Sequence, residues 1–122
     1  MIKNFHLKDS YFSRRFDTTI VLMTVGDALR RSVAQWPDQD ALIELDSEGN
    51  NARRWTYAEL LEESLRLAAV MAGRHAKGAK IAIWAPNISE WIVLEFACGL
   101  AGVTLVTVNP SFQERELEYV LR

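Results

Sequence analysis

Hydrophobic positions along the chain change period several times, and each change predicts an element. From Trp91 to Val103 (WIVLEFACGLAGV) apolar residues fall on nearly every side of a helix-length run, with Glu95 as the one acidic interruption. A surface helix shows a polar face, so this run predicts a helix with protein on more than one side. Its flanks, Lys80 to Ala85 (KIAIWA) and Thr104 to Val108 (TLVTV), are short, apolar and rich in β-branched residues, which predicts strands. Strand, helix, strand with a crossover of this length reads as a parallel βαβ unit. Parallel strands are buried on both faces, so one sheet alone would not cover such a helix, and the short chain is not expected to build every layer around it.

Upstream the pattern is amphipathic. Tyr57, Leu60, Leu61, Ser64, Leu67, Ala68 and Met71 recur at helical spacing opposite Glu62, Glu63 and Arg66, which predicts a helix to about His75. Thr56 and Glu59 form a T-x-x-E capping box at its start. An earlier helix is expected from about Val25 to Trp36, opened by Thr24 with Asp27 and stopped by Pro37. Between the two, Ala41 to Leu45 and Asn51 to Trp55 flank the turn formers Asp46-Ser47-Glu48-Gly49-Asn50, the pattern of an antiparallel hairpin. Ser89 is expected to cap the apolar helix, with Gly99 and Gly102 marking its end. Ser111 with Glu114 reads as an S-x-x-E box opening a last helix. Before Thr24 no period is clean, and Thr18 to Met23 reads as a short strand or as a strap across a neighbouring surface.

The chain has 122 residues, enough for at most one domain. A net charge of -2 gives no reason to expect nucleic acid or an anionic membrane as partner. The apolar run is too short for a bilayer span, and the first residues lack the apolar core of a signal peptide. Cys98 is the single cysteine, so no internal disulfide can form; a reducing compartment, by default the cytoplasm, is the expectation.

The search for chemistry finds little. A dinucleotide fingerprint needs glycines between strand and helix N-terminus, where this chain has Pro86-Asn87-Ile88; Gly99 and Gly102 lie at the wrong, negative end of their helix. His6, His75 and Cys98 belong to three different elements, which does not suggest a metal site. Cys98 has no neighbouring base in sequence and reads as an inert core thiol; His75 suits the last turn of its helix. Two corners remain, Pro86-Asn87 and Asn109-Pro110, each at the carboxyl end of a strand, where open α/β sheets place ligand crevices. Asn87 or Asn109 lines a cleft there, or both residues are simply turn formers.

Taken in order, T-Y-x-E-L at Thr56 to Leu60, A-P-N at Ala85 to Asn87, A-G at Ala101 and Gly102, N-P at Asn109 and Pro110, and E-L-x-Y-x-L at Glu116 to Leu121 form a distinctive set. Over about Thr24 to Arg122 the chain resembles the opening part of the large N-terminal domain of adenylate-forming (AMP-binding) enzymes, above all the fatty acyl-CoA synthetases. Residues 1–23 would then be an N-terminal strap and residues 24–122 part of that α/β domain. The resemblance implies a parent enzyme that activates a fatty or other carboxylic acid with MgATP, releasing pyrophosphate, and passes the acyl group to coenzyme A. It also implies further layers around the apolar helix. The family's Gly-rich phosphate loop ending in lysine, its aromatic-x-Thr-Glu segment, its ribose-binding Asp and its C-terminal catalytic lysine match no position here. No catalytic, cofactor-binding or metal residue is therefore assigned, and the chain alone is expected to be inactive and to bind no cofactor. Gly78-Ala79-Lys80 departs from the family's usual Gly-Asp turn. An aryl-CoA ligase, a peptide-synthetase adenylation domain and a non-enzymatic interaction module are the competing readings. The apolar helix and an open sheet edge also lead to the expectation that the isolated chain self-associates, most simply as a dimer.

Overall fold

The computed structural model describes residues 21–122. Residues 1–20 of the expected strap, His6 among them, lie outside the described residues; Val21 to Met23 are exposed and carry no strand. The helix α1 spans Val25–Gln35. Its cap is reciprocal: the Thr24 hydroxyl oxygen accepts from the Asp27 amide at 3.1 Å, and the Asp27 carboxylate accepts from the Thr24 amide at 3.4 Å. Trp36 closes the helix, one residue before Pro37, which disfavours helical backbone in the residue preceding it.

Strands β1 (Asp40–Leu45) and β2 (Asn51–Thr56) pair antiparallel, with Leu42 opposite Trp55 and Glu44 opposite Arg53. Their turn is organised by Asp46, whose carboxylate accepts from the amides of Glu48 and Asn50, each at 2.9 Å. Gly49 supplies the positive φ, 83°, that this turn requires. The helix α2 (Tyr57–Arg74) follows directly. Thr56 caps it, accepting from the Glu59 amide at 3.2 Å, while Glu59 accepts from the Thr56 amide at 2.8 Å. The apolar stripe read from the sequence is the buried one, through Leu60, Ser64, Ala68 and Met71.

Strand β3 (Lys80–Trp84), helix α3 (Ser89–Ala101) and strand β4 (Thr104–Val108) form the parallel βαβ unit, in register from Lys80 opposite Thr104 to Trp84 opposite Val108. A short helix α4 (Glu114–Leu121) ends the chain and has no buried residue. The hairpin and the βαβ unit are separate two-stranded sheets.

Two apolar clusters hold α3. Ala97, Cys98 and Val103 pack with Ala68 and Met71 of α2, joined by Ile81 and Leu105 from the sheet. Towards the other end, Val93 packs with Leu29 of α1 and Leu60 of α2, joined by Ala41, Leu42 and Trp55 of the hairpin. Ala97 is 0% exposed. Much of what surrounds α3 is thus this chain's own: α1 and α2, the parallel strands, and the hairpin. The chain's own helices cover more of α3 than the strands alone were expected to, while Trp91, Ile92, Leu94 and Leu100 remain only half-buried, so the cover is partial. The close approach of α1 depends on glycine, because a Cβ on buried Gly26 would meet Leu100 Cδ2 at 2.7 Å.

Three local expectations change. Ser89 is not the α3 cap: Ile88 occupies that position without a side-chain hydrogen bond, and the Ser89 hydroxyl serves other partners. The last helix opens not at Ser111 but at Gln113, which forms its capping box with Glu116. Asn109 explains the delay: its side-chain oxygen accepts from the Ser111 amide at 2.9 Å and its carbonyl from the Phe112 amide at 3.0 Å, so the chain turns once more before the helix begins. Gly99 lies within α3, and Gly102 alone ends it, at φ 70°. Burial of β3 on both faces is not found among the described residues. Its positions alternate, with Lys80, Ala82 and Trp84 exposed, because α3 packs on one face and the two-stranded sheet has no layer on the other.

Candidate functional site

Parallel pairing brings both sequence-predicted corners to one end of the sheet, since Trp84 and Val108 are partners and each is followed by its Pro/Asn turn. The two asparagines then part in role. Asn109 spends its side chain on the turn itself. Asn87 lines a solvent-open cavity of about 400 Å³ between the β3–α3 corner and the hairpin, with Leu42, Ile43 and Leu45 on one side and Trp91 and Ile92 on the other.

One cluster borders that cavity that reading the sequence missed. Arg53 Nε donates to Glu44 Oε2 at 2.6 Å, and Arg53 Nη2 donates to Ser89 Oγ at 2.5 Å and Glu90 Oε1 at 2.7 Å. The guanidinium also lies 4.9 Å from the centroid of the Trp55 ring, within cation–π range. The hydrogen bonds that Arg53 donates to Glu44, then Glu90, raise its pKa above the ordinary value; Glu90 is held below its own, chiefly by the hydrogen bond from Arg53. Trp55 continues the network to α2, donating from its indole nitrogen to Glu63 at 2.7 Å. The cross-strand pair Glu44–Arg53 depends on the register shift between Glu44 and Leu45, which sequence spacing does not give. Ser89 and Glu90 were no more legible, being 36 and 37 residues from Arg53.

The arrangement is an internally paired polar corner without a reactive pair. Ser89 is 4% exposed, and its hydroxyl faces two carboxylates and a guanidinium that is already engaged by them, so no base is free to activate it. Cys98 is buried, and desolvation pushes its thiol above the ordinary value, the opposite of what a nucleophile needs. His75 follows the last turn of α2 as its cap. Among the described residues no group of three or more His, Cys, Asp or Glu is placed to hold a metal ion. The start of α3 does not fit a nucleotide phosphate either: no glycine cradle stands there, and Glu44 and Glu90 already occupy its charge field.

Comparison with known proteins supplies what this corner does not. The family model described as AMP-binding enzyme matches residues 29–122. The chain belongs to that family, and its α/β fold is that of part of the N-terminal domain of adenylate-forming enzymes. It is 36% identical over 114 residues to the mitochondrial medium-chain acyl-CoA ligase ACSF2 of Mus musculus, covering 93% of this chain and 18% of the relative. The N-terminal subdomain of Klebsiella oxytoca NpsA, solved in complex with 3-hydroxyanthranilyl-AMSN, is similar at a TM-score of 0.73 and 32% identity, over 83% of this chain and 25% of that one. The N-terminal domain of FACL13 from Mycobacterium tuberculosis is similar at a TM-score of 0.72 and 26% identity, over 82% of this chain and 25% of that one. The chain thus spans under a fifth of the curated relative's length. Among the described residues no helix is long and apolar enough to cross a membrane.

Proposed function

We propose that this chain is the opening part of an ATP-dependent acyl-CoA synthetase, whose whole protein converts a carboxylic acid, ATP and coenzyme A to acyl-CoA, AMP and pyrophosphate. The observation that carries the reading is the family match over residues 29–122 together with 36% identity to a medium-chain acyl-CoA ligase. ATP and magnesium belong to the parent reaction, and no step of it is assigned to residues of this chain. The chain contributes a folded layer and the corner around Asn87, and is inactive alone. Fatty acids are the substrate class favoured by the acyl-CoA ligase relative. Aryl acids form a second reading, favoured by the similarity to NpsA bound to an anthranilyl compound. One cysteine, buried and unpaired, suits a reducing compartment, and the cytoplasm is the simplest such location.

The test uses a protein extended to the full length of the relatives. Pyrophosphate release that depends on medium-chain fatty acids, followed by coenzyme A thioester formation, is the expected result. Release that requires aryl acids or amino acids and ignores fatty acids would overturn the fatty-acid assignment. The isolated chain is proposed to self-associate through the uncovered sheet face, where Trp84 is 52% exposed. Light scattering during gel filtration reads this directly, and a monomer at micromolar concentration would refute it.

A further inference from the structure

The hairpin divides in two at the Leu42–Trp55 pair. Below it, the base is fixed: Leu42 and Trp55 pack into the cluster of Leu29, Leu60 and Val93. The Tyr57 amide donates to the Gln39 carbonyl at 3.0 Å, and the Ala58 amide to the Pro37 carbonyl at 3.1 Å. Above it, the strands run out through Ile43–Arg54 and Glu44–Arg53 to Leu45–Asn51, with a register shift after Glu44. The Asp46 turn bonds to itself. Among the described residues, Arg54 ties this outer half to Asp40 of the hairpin base, and the polar contacts that leave the hairpin from it all pass through Arg53 and its partner Glu44, to Ser89 and Glu90. Beneath lies the cavity of about 400 Å³ that holds Ile43 and Leu45 away from Trp91 and Ile92.

The geometry points to a flap: the outer half of the hairpin swings over the first turn of α3, with the Leu42–Trp55 pair as its hinge and Arg53 as its latch. The latch is half-exposed and ionic, so it competes with water and salt. The hinge is apolar and packed into the core, so it does not. A register shift between Asp40 and Leu42, next to the hinge, marks where the strands can bend, and a second after Glu44 loosens the tip. When Arg53 lets go, Glu90 is not stranded, because its side chain is 59% exposed and water can solvate it. Opening widens the Asn87 cavity while α2 and α3 stay packed.

Hydrogen–deuterium exchange on the 122-residue chain, compared with Arg53→Ala, Arg53→Lys and Glu90→Gln, tests this. Arg53→Ala is expected to speed exchange of the outer-hairpin amides, residues 43–54, by roughly tenfold, leaving the amides of Leu60 to Met71 unchanged. Arg53→Lys is expected to fall between, since it keeps the charge but not the fork that reaches three partners. Added salt should move the parent chain towards Arg53→Ala and leave Arg53→Ala itself unmoved. Adding Glu90→Gln to Arg53→Ala should have less effect than the two single changes multiplied together. Outer amides that do not respond to Arg53→Ala would overturn the proposal. So would equal acceleration in α2, which would mean that the hairpin and core open as one unit.

Discussion

Helices α2 and α3 lie side by side, yet they are specified differently. α2 carries its own instructions: a reciprocal cap at Thr56 and Glu59, one apolar stripe, a polar opposite face and Gly78 shortly after its end. α3 has no side-chain cap, is apolar on most sides and begins with a serine whose hydroxyl is occupied by residues from the hairpin. Local signals suffice to define α2, whereas α3 is a helix because α1, α2, the strands and the hairpin surround it. The difference teaches that a helix poor in local signals is the one whose neighbours matter most, and it can be broken at each end of that contrast.

The largest effect should come from the centre of α3. Ala97→Asp places a carboxylate where no exposure remains and no partner is available, and should unfold the chain, costing about 3 kcal/mol or more. Loss of the cooperative transition in circular dichroism is the expected reading; a normal melt would mean that α3 is not enclosed. Next is the α1–α3 contact. Gly26→Val drives new atoms into Leu100 and should cost about 1–3 kcal/mol, read as a lower urea midpoint.

A matched pair of alanine changes then separates the helix starts. Thr56→Ala should cost about 1 kcal/mol by loss of the cap, with the same cost whether or not Arg53 is present. Ser89→Ala should cost about 0.5–1.5 kcal/mol for its buried hydrogen bonds, and most of that should vanish in an Arg53→Ala background. An equal Ser89→Ala cost in both backgrounds would restore the reading of Ser89 as a simple cap.

The smallest effect concerns pH. Glu59 is held below its ordinary value of 4.5 by the hydrogen bond it accepts from the Thr56 amide. A carboxylate depressed in the folded state stabilises above its unfolded pKa and loses that contribution as pH falls through the folded value. The melting temperature of the parent chain should therefore decline below about pH 4.5, and Glu59→Gln should flatten that decline. Parallel profiles for the two proteins would show that the capping box carries no charge dependence.

Much of the architecture was legible because it is written in neighbouring residues. The boxes at Thr24 and Thr56, the stripe from Leu60 to Met71 and the turn formers from Asp46 to Asn50 need only residues near in sequence, and the family motifs need only their order along the chain. The misread starts at Ser89 and Ser111 show the limit of that logic. A serine before a helix offers a hydroxyl, but whether it caps depends on what else reaches it. At Ser89 an arginine and a glutamate from the hairpin did; at Ser111 the side chain of Asn109 had already turned the backbone.

Periodicity and hydrogen-bonding chemistry within a turn or two of the chain thus determined most elements and their order, and the ordered motifs carried the resemblance to the family. The tertiary structure decided what encloses α3, which asparagine faces a cavity, and that Arg53 joins the hairpin to Ser89 and Glu90. The physical reason is range. A cap or a stripe is settled by residues close in sequence, whereas burial and ion pairing depend on distances that exist only after segments 36 residues apart have folded against each other.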